Sequence, residues 1–232
     1  MIKVRRSEER GAVNMGWLDA RHSFSFGSYY DPEHMGFVNL RVINEDRIQP
    51  GKGFGTHGHK NMEIVTYMIE GALAHKDSMG NGSVIRKNEV QRMSAGTGIQ
   101  HSEFNHSGEE IAHLLQIWIL PESAEITPGY EEKTFEPAEK QNRLRLIASH
   151  DARDGSLKIH QDTDLYASIL DSGSELAHRF DTGRKGWIQV VSGELVANDV
   201  ALLSGDGASV EDVEALRLEA GAETEFLLFD LG

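Results

Sequence analysis

There is no cysteine in this chain. Disulfides, thiolate metal sites and cysteine nucleophiles are thereby excluded, and a reducing cytoplasm is the expected compartment. Proline is scarce, with five in 232 residues, and three of these (Pro121, Pro128 and Pro137) fall in one polar stretch. No apolar run approaches the roughly 20 residues that a bilayer crossing requires, so no membrane role is expected. Basic residues are in deficit: 23 Lys and Arg stand against 37 Asp and Glu, a formal net charge of -14. Such a surface opposes direct binding to nucleic acid or to an anionic membrane, which relies on clustered Lys and Arg. Met1 to Arg10 carries basic residues with no apolar stretch behind them and does not read as a signal peptide. Sustained helical periodicity is also missing, and only Pro137 to Lys140 reads as a short helical turn.

What is present has the punctuation of a β protein. Glycine totals 24, and short apolar runs are cut by turn residues roughly every 8–12 positions, the rhythm of a sandwich or barrel. Phe37 to Ile43 reads as a strand with Val38, Leu40 and Val42 on one face and Asn39 and Arg41 on the other. Further strands are expected at Glu63 to Ile69, Leu73 to Lys76, Ser83 to Arg86, Val90 to Met93 and Ile111 to Leu120. Asp77 to Gly82 forms a loop whose Asn81-Gly82 step suits a tight hairpin. Pro121 to Lys140 reads as a linker or crossover, and a second β-rich segment runs from about Leu144 to Leu231.

The two halves echo each other. Val65 to Leu73 aligns with Trp187 to Leu195, each a strand, a glycine turn (Gly71 or Gly193) and a strand. Leu203 to Gly207 falls where a second hairpin turn belongs. A duplicated barrel explains both the echo and the length. The expectation is an all-β chain of two tandem β-barrels, residues 1–135 and 136–232.

Two clusters carry the chemistry. In Gly55-Thr56-His57-Gly58-His59-Lys60-Asn61-Met62-Glu63, an extended backbone projects His57, His59 and Glu63 to one side. In the second, a glycine-rich turn from Ser94 to Gly98 delivers a strand on which His101 and Glu103 share a face. Neighbouring strands lie about 4.8 Å apart, so two of them can surround one ion. Three imidazoles and one carboxylate leave positions of an octahedron open and suit Fe(II), Mn(II), Co(II), Ni(II) or Cu(II). Zinc fits less well, since its structural sites prefer closed tetrahedra. On parity alone either Glu63 or Glu103 can supply the carboxylate.

The spacing His57-X-His59-X3-Glu63 followed by Gly98-X2-His101-X3-Asn105 resembles the paired motifs of the cupin superfamily. Glu70 stands where that pattern has glycine, with Gly71 one place late, and Gly96 stands where it has proline. Both departures are characteristic of the pirin-like branch. So are the strings Thr56-His57-Gly58-His59, Met93 to Glu103 (Met-Ser-Ala-Gly-Thr-Gly-Ile-Gln-His-Ser-Glu) and Gly16-Trp17-Leu18-Asp19. The likeness extends through Ser23 to Gly27 and Asp151 to Leu157, and so covers most of the chain. It implies a bicupin of the double-stranded β-helix or jelly-roll type, similar to bacterial pirin-like quercetin 2,3-dioxygenases.

That resemblance implies His57, His59, His101 and Glu103 as metal ligands, with Glu63 a supporting or buried hydrogen-bonding group. Fe(II) is the ion favoured, with Mn, Co, Ni, Cu and Zn as substitutes. A flavonol and O2 are the implied substrates, Glu103 the implied base for the 3-hydroxyl proton, and ring cleavage with release of CO the implied outcome. The alternatives are a non-enzymatic, redox- or metal-responsive regulator of the pirin type, or another cupin enzyme such as an isomerase. The tandem barrel supplies within one chain the packing that single-barrel relatives obtain by pairing, so a monomer is expected.

The second barrel is expected without metal. Carrying the hairpin alignment back places Arg179, Asp181 and Lys185 opposite His57, His59 and Glu63, and two of those three are cations. His150, His160 and His178 lack His-X-His spacing. They are expected on the surface or in ordinary hydrogen bonds, as are His34, His75, His106 and His113. His22 precedes the aromatic run Phe24, Phe26, Tyr29 and Tyr30, which reads chiefly as core with some part free to wall a pocket for a flat aromatic ligand.

Overall fold

A computed structural model describes every residue from Met1 to Gly232. The strands of the first part are β1 (Ile2–Arg5), β2 (Gly11–Asn14), β3 (Leu18–His22), β4 (Leu40–Ile48), β5 (Gly53–His59) and β6 (Glu63–Glu70). They continue with β7 (Ala72–Asp77), β8 (Gly82–Arg86), β9 (Glu89–Ser94), β10 (Ile99–Asn105), β11 (Ala112–Ile119) and β12 (Gly129–Thr134). One α-helical turn, α1 (Pro137–Lys140), follows. The later strands are β13 (Arg145–Ser149), β14 (Leu157–Lys158), β15 (Thr163–Leu170), β16 (Glu175–Arg179) and β17 (Lys185–Ser192). The last are β18 (Glu194–Ala197), β19 (Val200–Leu203), β20 (Gly207–Val210), β21 (Ala215–Ala220) and β22 (Thr224–Leu231).

These strands form two units. One consists of Gly11–Thr134 with Ile159–Gln161, the other of Met1–Arg10, Phe135–Lys158 and Asp162–Gly232. The strands of each unit are therefore not drawn from one continuous half. β1 pairs antiparallel with β20, placing Ile2 opposite Val210 and Val4 opposite Ala208.

Each unit has one seven-stranded and one four-stranded sheet. In the first unit the orders are β12-β9-β6-β11-β4-β3-β2 and β5-β10-β7-β8. In the second they are β1-β20-β17-β22-β15-β13-β14 and β16-β21-β18-β19. The echo between the halves thus has a structural cause. Gly71 and Gly193 both adopt positive φ, +74° and +88°, and a Cβ at either would lie within about 2.5 Å of a backbone carbonyl, that of Ile111 or Glu223. Only glycine tolerates both conditions.

Alternation builds the cores. In the first unit Leu18, Ala20, Ile48, Met68, Leu73, Ile85, Ala112 and Leu114 pack together, and Ile64, Met93, Ala95 and Ile99 form a smaller group. In the second, Leu170, Ile188, Val190, Leu195, Leu216, Leu218, Phe226 and Leu228 belong to one cluster.

Two sequence expectations need correction, and one stretch needs adding. The strand expected at Phe37 begins at Leu40, because Val38 has φ +54° and Phe37 pairs across a turn with Leu40. Val38 consequently lies exposed instead of sharing a buried face. The polar stretch 121–140 is no plain linker: β12 pairs along β9 from Gly129↔Ser94 to Thr134↔Glu89. The first 22 residues, for which the sequence reading names no particular strand, supply β1, β2 and β3.

Candidate metal centre

β5 and β10 run antiparallel with His101 directly opposite His57. A register shift between His101 and Glu103 then brings Phe54, not Gly55, opposite Glu103. Such a bulge re-aims side chains beside a site. On its other edge β10 pairs with β7, which sets Asp77 opposite His101 and His75 opposite Glu103. Alternation therefore gathers His57, His101, Glu103, His75 and Asp77 on one face of the four-stranded sheet.

The three imidazoles converge. Ring centroids are 4.8 Å apart for His57 and His59, 4.4 Å for His57 and His101, and 4.9 Å for His59 and His101. Their ligating nitrogens all lie within 4.8 Å of one another. His75, His101 and Glu103 form a second group within the same limit, so the expected residues meet as two triads that share His101. Glu103 lines the same cavity as His57, His59 and His101.

Hydrogen bonding prepares the lone pairs. His57 Nδ1 donates to the carbonyl of Gly55 at 2.8 Å, which leaves Nε2 as an acceptor. His57 Nε2 lies 3.1 Å from His101 Nε2. Two nitrogen ligands at about 2.1 Å from one ion and near right angles lie about 3 Å apart, so this spacing fits a shared cation. Burial, then the neighbouring His57, pushes the His59 imidazole down to about 4. Burial and the surrounding imidazoles push His101 down to about 3. Both rings are thus neutral near pH 7, the form that binds metal.

Glu103 differs from an ordinary surface carboxylate. It is 3% exposed, and burial raises it from 4.5 to about 7. Gln116 Nε2 donates to both of its oxygens, at 3.3 and 3.0 Å, and limits that rise. Glu63 points elsewhere. Its buried carboxylate accepts bonds from Ser94 Oγ at 3.0 Å and from the His160 backbone N–H at 3.1 Å. Neither triad includes it.

A cavity of about 430 Å³ opens over the imidazoles. Trp17 packs edge-on against Phe54 on one wall, with centroids 5.2 Å apart, and Phe26 against Trp118 on another, at 5.3 Å. Trp118 also meets the His59 ring at 4.8 Å. Of the aromatic run, Phe24 is core, Phe26 lines the cavity and Tyr30 is exposed. His22 hydrogen-bonds Asn44, a cavity residue, at 2.7 Å. A set of nitrogen and oxygen donors at the floor of an aromatic cavity suits a flat ligand that also reaches a metal ion.

Sequence reasoning missed Gln116 and Trp118 on β11, whose alternation reads simply as a strand. It also left His75 among the ordinary histidines. The signal for His75 was available, since His75-X-Asp77 repeats the same-face spacing of His57-X-His59 and His101-X-Glu103 on a strand after a turn glycine.

Comparison with known proteins agrees with this architecture. Residues 3–119 match the Pirin family model, and residues 146–231 match the model of the quercetinase C-terminal cupin domain. The chain is 50% identical over 231 residues to a quercetin 2,3-dioxygenase of Escherichia coli strain K12, covering 100% of this chain and 99% of that protein. It is 36% identical to a pirin-like protein of Caulobacter vibrioides, with 99% of each covered. A crystal structure of the bacterial pirin YhhW of E. coli in complex with nickel(II) is 50% identical and superposes with a TM-score of 0.96 over 100% of this chain and 99% of that one. With matches to both models and a full-length relative at 50% identity, this all-β bicupin belongs to the pirin family.

Proposed function

We propose that the chain is a metal-dependent dioxygenase of the quercetin 2,3-dioxygenase kind, with His57, His59, His101 and Glu103 as the ligands of one divalent ion. The observation that carries this reading is the coincidence of three converging imidazoles with an aromatic-walled cavity and a buried carboxyl. Fe(II) is the ion proposed first, with Mn, Co, Ni, Cu and Zn as substitutes. The nickel held by the E. coli relative supports a first-row ion in a site of this type. When bound, such an ion would supply a Lewis acid for a chelating oxygen and, for the redox-active ions of that set but not for Zn, access to O2.

The rest of the work falls to the side chains. The cavity walls, Trp17 with Phe54 and Phe26 with Trp118, hold the flat rings of a flavonol and exclude water from its reacting edge. Glu103 accepts the proton of the 3-hydroxyl on a carboxylate oxygen. Gln116 holds that carboxylate in place through its Nε2. The expected overall reaction consumes one flavonol and one O2 and yields the ring-opened depside and CO.

The test is oxygen uptake and CO release on a flavonol panel, with the protein loaded separately with each ion. Equimolar CO and O2 tied to one ion is expected. Glu103→Gln should keep some of the ion while turnover falls about 10²- to 10⁴-fold; unchanged turnover would remove Glu103 as the base. Ion-dependent partner binding with no turnover for any ion would favour a regulator of the pirin type.

A further inference from the structure

Behind the three imidazoles lies a fourth that the reaction above leaves unused. His75 is 1% exposed. Its ring stacks on Tyr130 with centroids 4.8 Å apart and 25° between planes. The Tyr130 hydroxyl is held in turn by Ser83 Oγ at 2.5 Å and Glu132 Oε2 at 2.7 Å. The face of the His75 ring is therefore fixed.

One edge of that ring is committed as well. His75 Nε2 lies 3.4 Å from Asp77 Oδ2. The Asp77 carboxylate is anchored by Asn81 Nδ2 at 2.8 Å and by the backbone N–H groups of Met79 and Asn81 at 2.9 and 3.0 Å. An imidazole that directs Nε2–H at a carboxylate presents a lone pair at Nδ1. In the metal-free protein, His75 Nδ1 has no hydrogen-bond partner, and neither does His101 Nδ1. Both are buried, where an unmet polar atom is costly.

The two needs are complementary. A histidine that binds an ion through Nε2 carries its proton on Nδ1 and must place it. His101 thus has a donor to satisfy and His75 an acceptor to offer. Their ring centroids are 5.4 Å apart and tilted by 52°; the two Nδ1 atoms are not bonded to each other here, and a rotation of the rings as His101 takes up the ion closes them to an N–H···N contact of about 3 Å. We propose that His75 is a positioning residue for the metal centre, in which His101 Nδ1–H donates to His75 Nδ1 and His75 Nε2–H donates to Asp77, so that the relay fixes the ring and tautomer of His101. The inference rests on the reading that His101 is a ligand. It adds two residues to the site that touch neither ion nor substrate.

Cobalt(II) tests the relay through affinity and absorption. Wild-type protein should bind one ion per chain. His75→Phe keeps a ring against Tyr130 but has no nitrogen; it should weaken cobalt binding about 10- to 100-fold and alter the d–d absorption bands. His75→Asn, whose Oδ1 falls near the position of Nδ1, should recover part of both. In zinc-loaded wild type, imidazole 15N NMR should show a proton on His101 Nδ1 that exchanges slowly. This last measurement decides the matter even where a His75 variant fails to fold. Wild-type affinity and an unchanged cobalt spectrum in His75→Phe would overturn the relay, as would a His101 Nδ1 without its proton. Two cobalt ions in wild type falling to one in both variants would make His75 a ligand and overturn it too. Wild-type protein that takes up no cobalt would instead sink the metal reading and the relay with it.

Discussion

Replacing Glu103 by glutamine should change how the stability of the metal-free protein depends on pH, and the sign can be worked out. Burial raises this carboxyl from 4.5 to about 7. The folded state therefore holds its proton more tightly than the unfolded chain does. Stability from that preference is fully present below about 4.5 and is lost as pH rises through about 7. A separation of this size corresponds to about 3 kcal/mol. His59 and His101 act in the opposite sense, because they are lowered from 6.5 to about 4 and about 3. Their contribution is present above 6.5 and is lost as pH falls toward those values. The raw curve of wild-type stability thus mixes opposing slopes.

The difference between wild type and Glu103→Gln isolates the carboxyl, since both proteins keep the histidines. The amide also meets Gln116 differently, which shifts the curves by a constant. The change of the gap with pH is the observable. Urea unfolding of chelator-treated protein at pH 5 and pH 8 should show the gap moving in favour of the variant by about 2–3 kcal/mol as pH rises. Saturating nickel should restrain that movement, because an ionised Glu103 then faces a cation. A gap that stays constant across the range would refute the claim that burial outweighs the Gln116 hydrogen bonds at Glu103.

Two further outcomes test the frame. Gly96 has φ +46°, and a Cβ there would lie 2.0 Å from the Ile126 carbonyl oxygen; Gly96→Ala should cost about 2 kcal/mol or more by thermal unfolding, whereas Gly108→Ala, with open space around it, should be nearly silent. Phe226 is fully buried in the core of the second unit, so Phe226→Ala should cost about 3–5 kcal/mol, measured by the urea midpoint.

Much of this was legible in the sequence because it depends on period two. His57 and His59, then His101 and Glu103, announce a shared face by spacing alone, and both pairs lie within single strands. The turn glycines were legible for a similar reason, since Gly71 and Gly193 interrupt apolar runs at matching places. What stayed hidden required strand pairing. Nothing local says that Gln116 on β11 reaches Glu103, or that β7 lies against β10 with His75 opposite Glu103. The exchange that sends β1 to β20 spans the length of the chain and leaves no periodic trace. Val38 misled for the opposite reason. A β-branched residue in an alternating run promises a strand, yet the chain there turns through positive φ.

The second unit shows why the frame and the chemistry must be argued separately. Its four-stranded sheet has the order β16-β21-β18-β19, and β21 occupies the place that β10 holds in β5-β10-β7-β8. On β10 the buried alternate positions after Ile99 are His101, Glu103 and Asn105; on β21 they are Leu216, Leu218 and Ala220. These are apolar where their counterparts offer nitrogen and oxygen. On β16, Arg179 pairs with the exposed Glu214, while His178 is engaged by Asp230 at 2.7 Å. Backbone ladders and glycine turns hold both sheets in the same form whatever the inward side chains are. The fold follows from the alternation that the two units share, whereas the proposed activity follows from the few inward positions at which they differ.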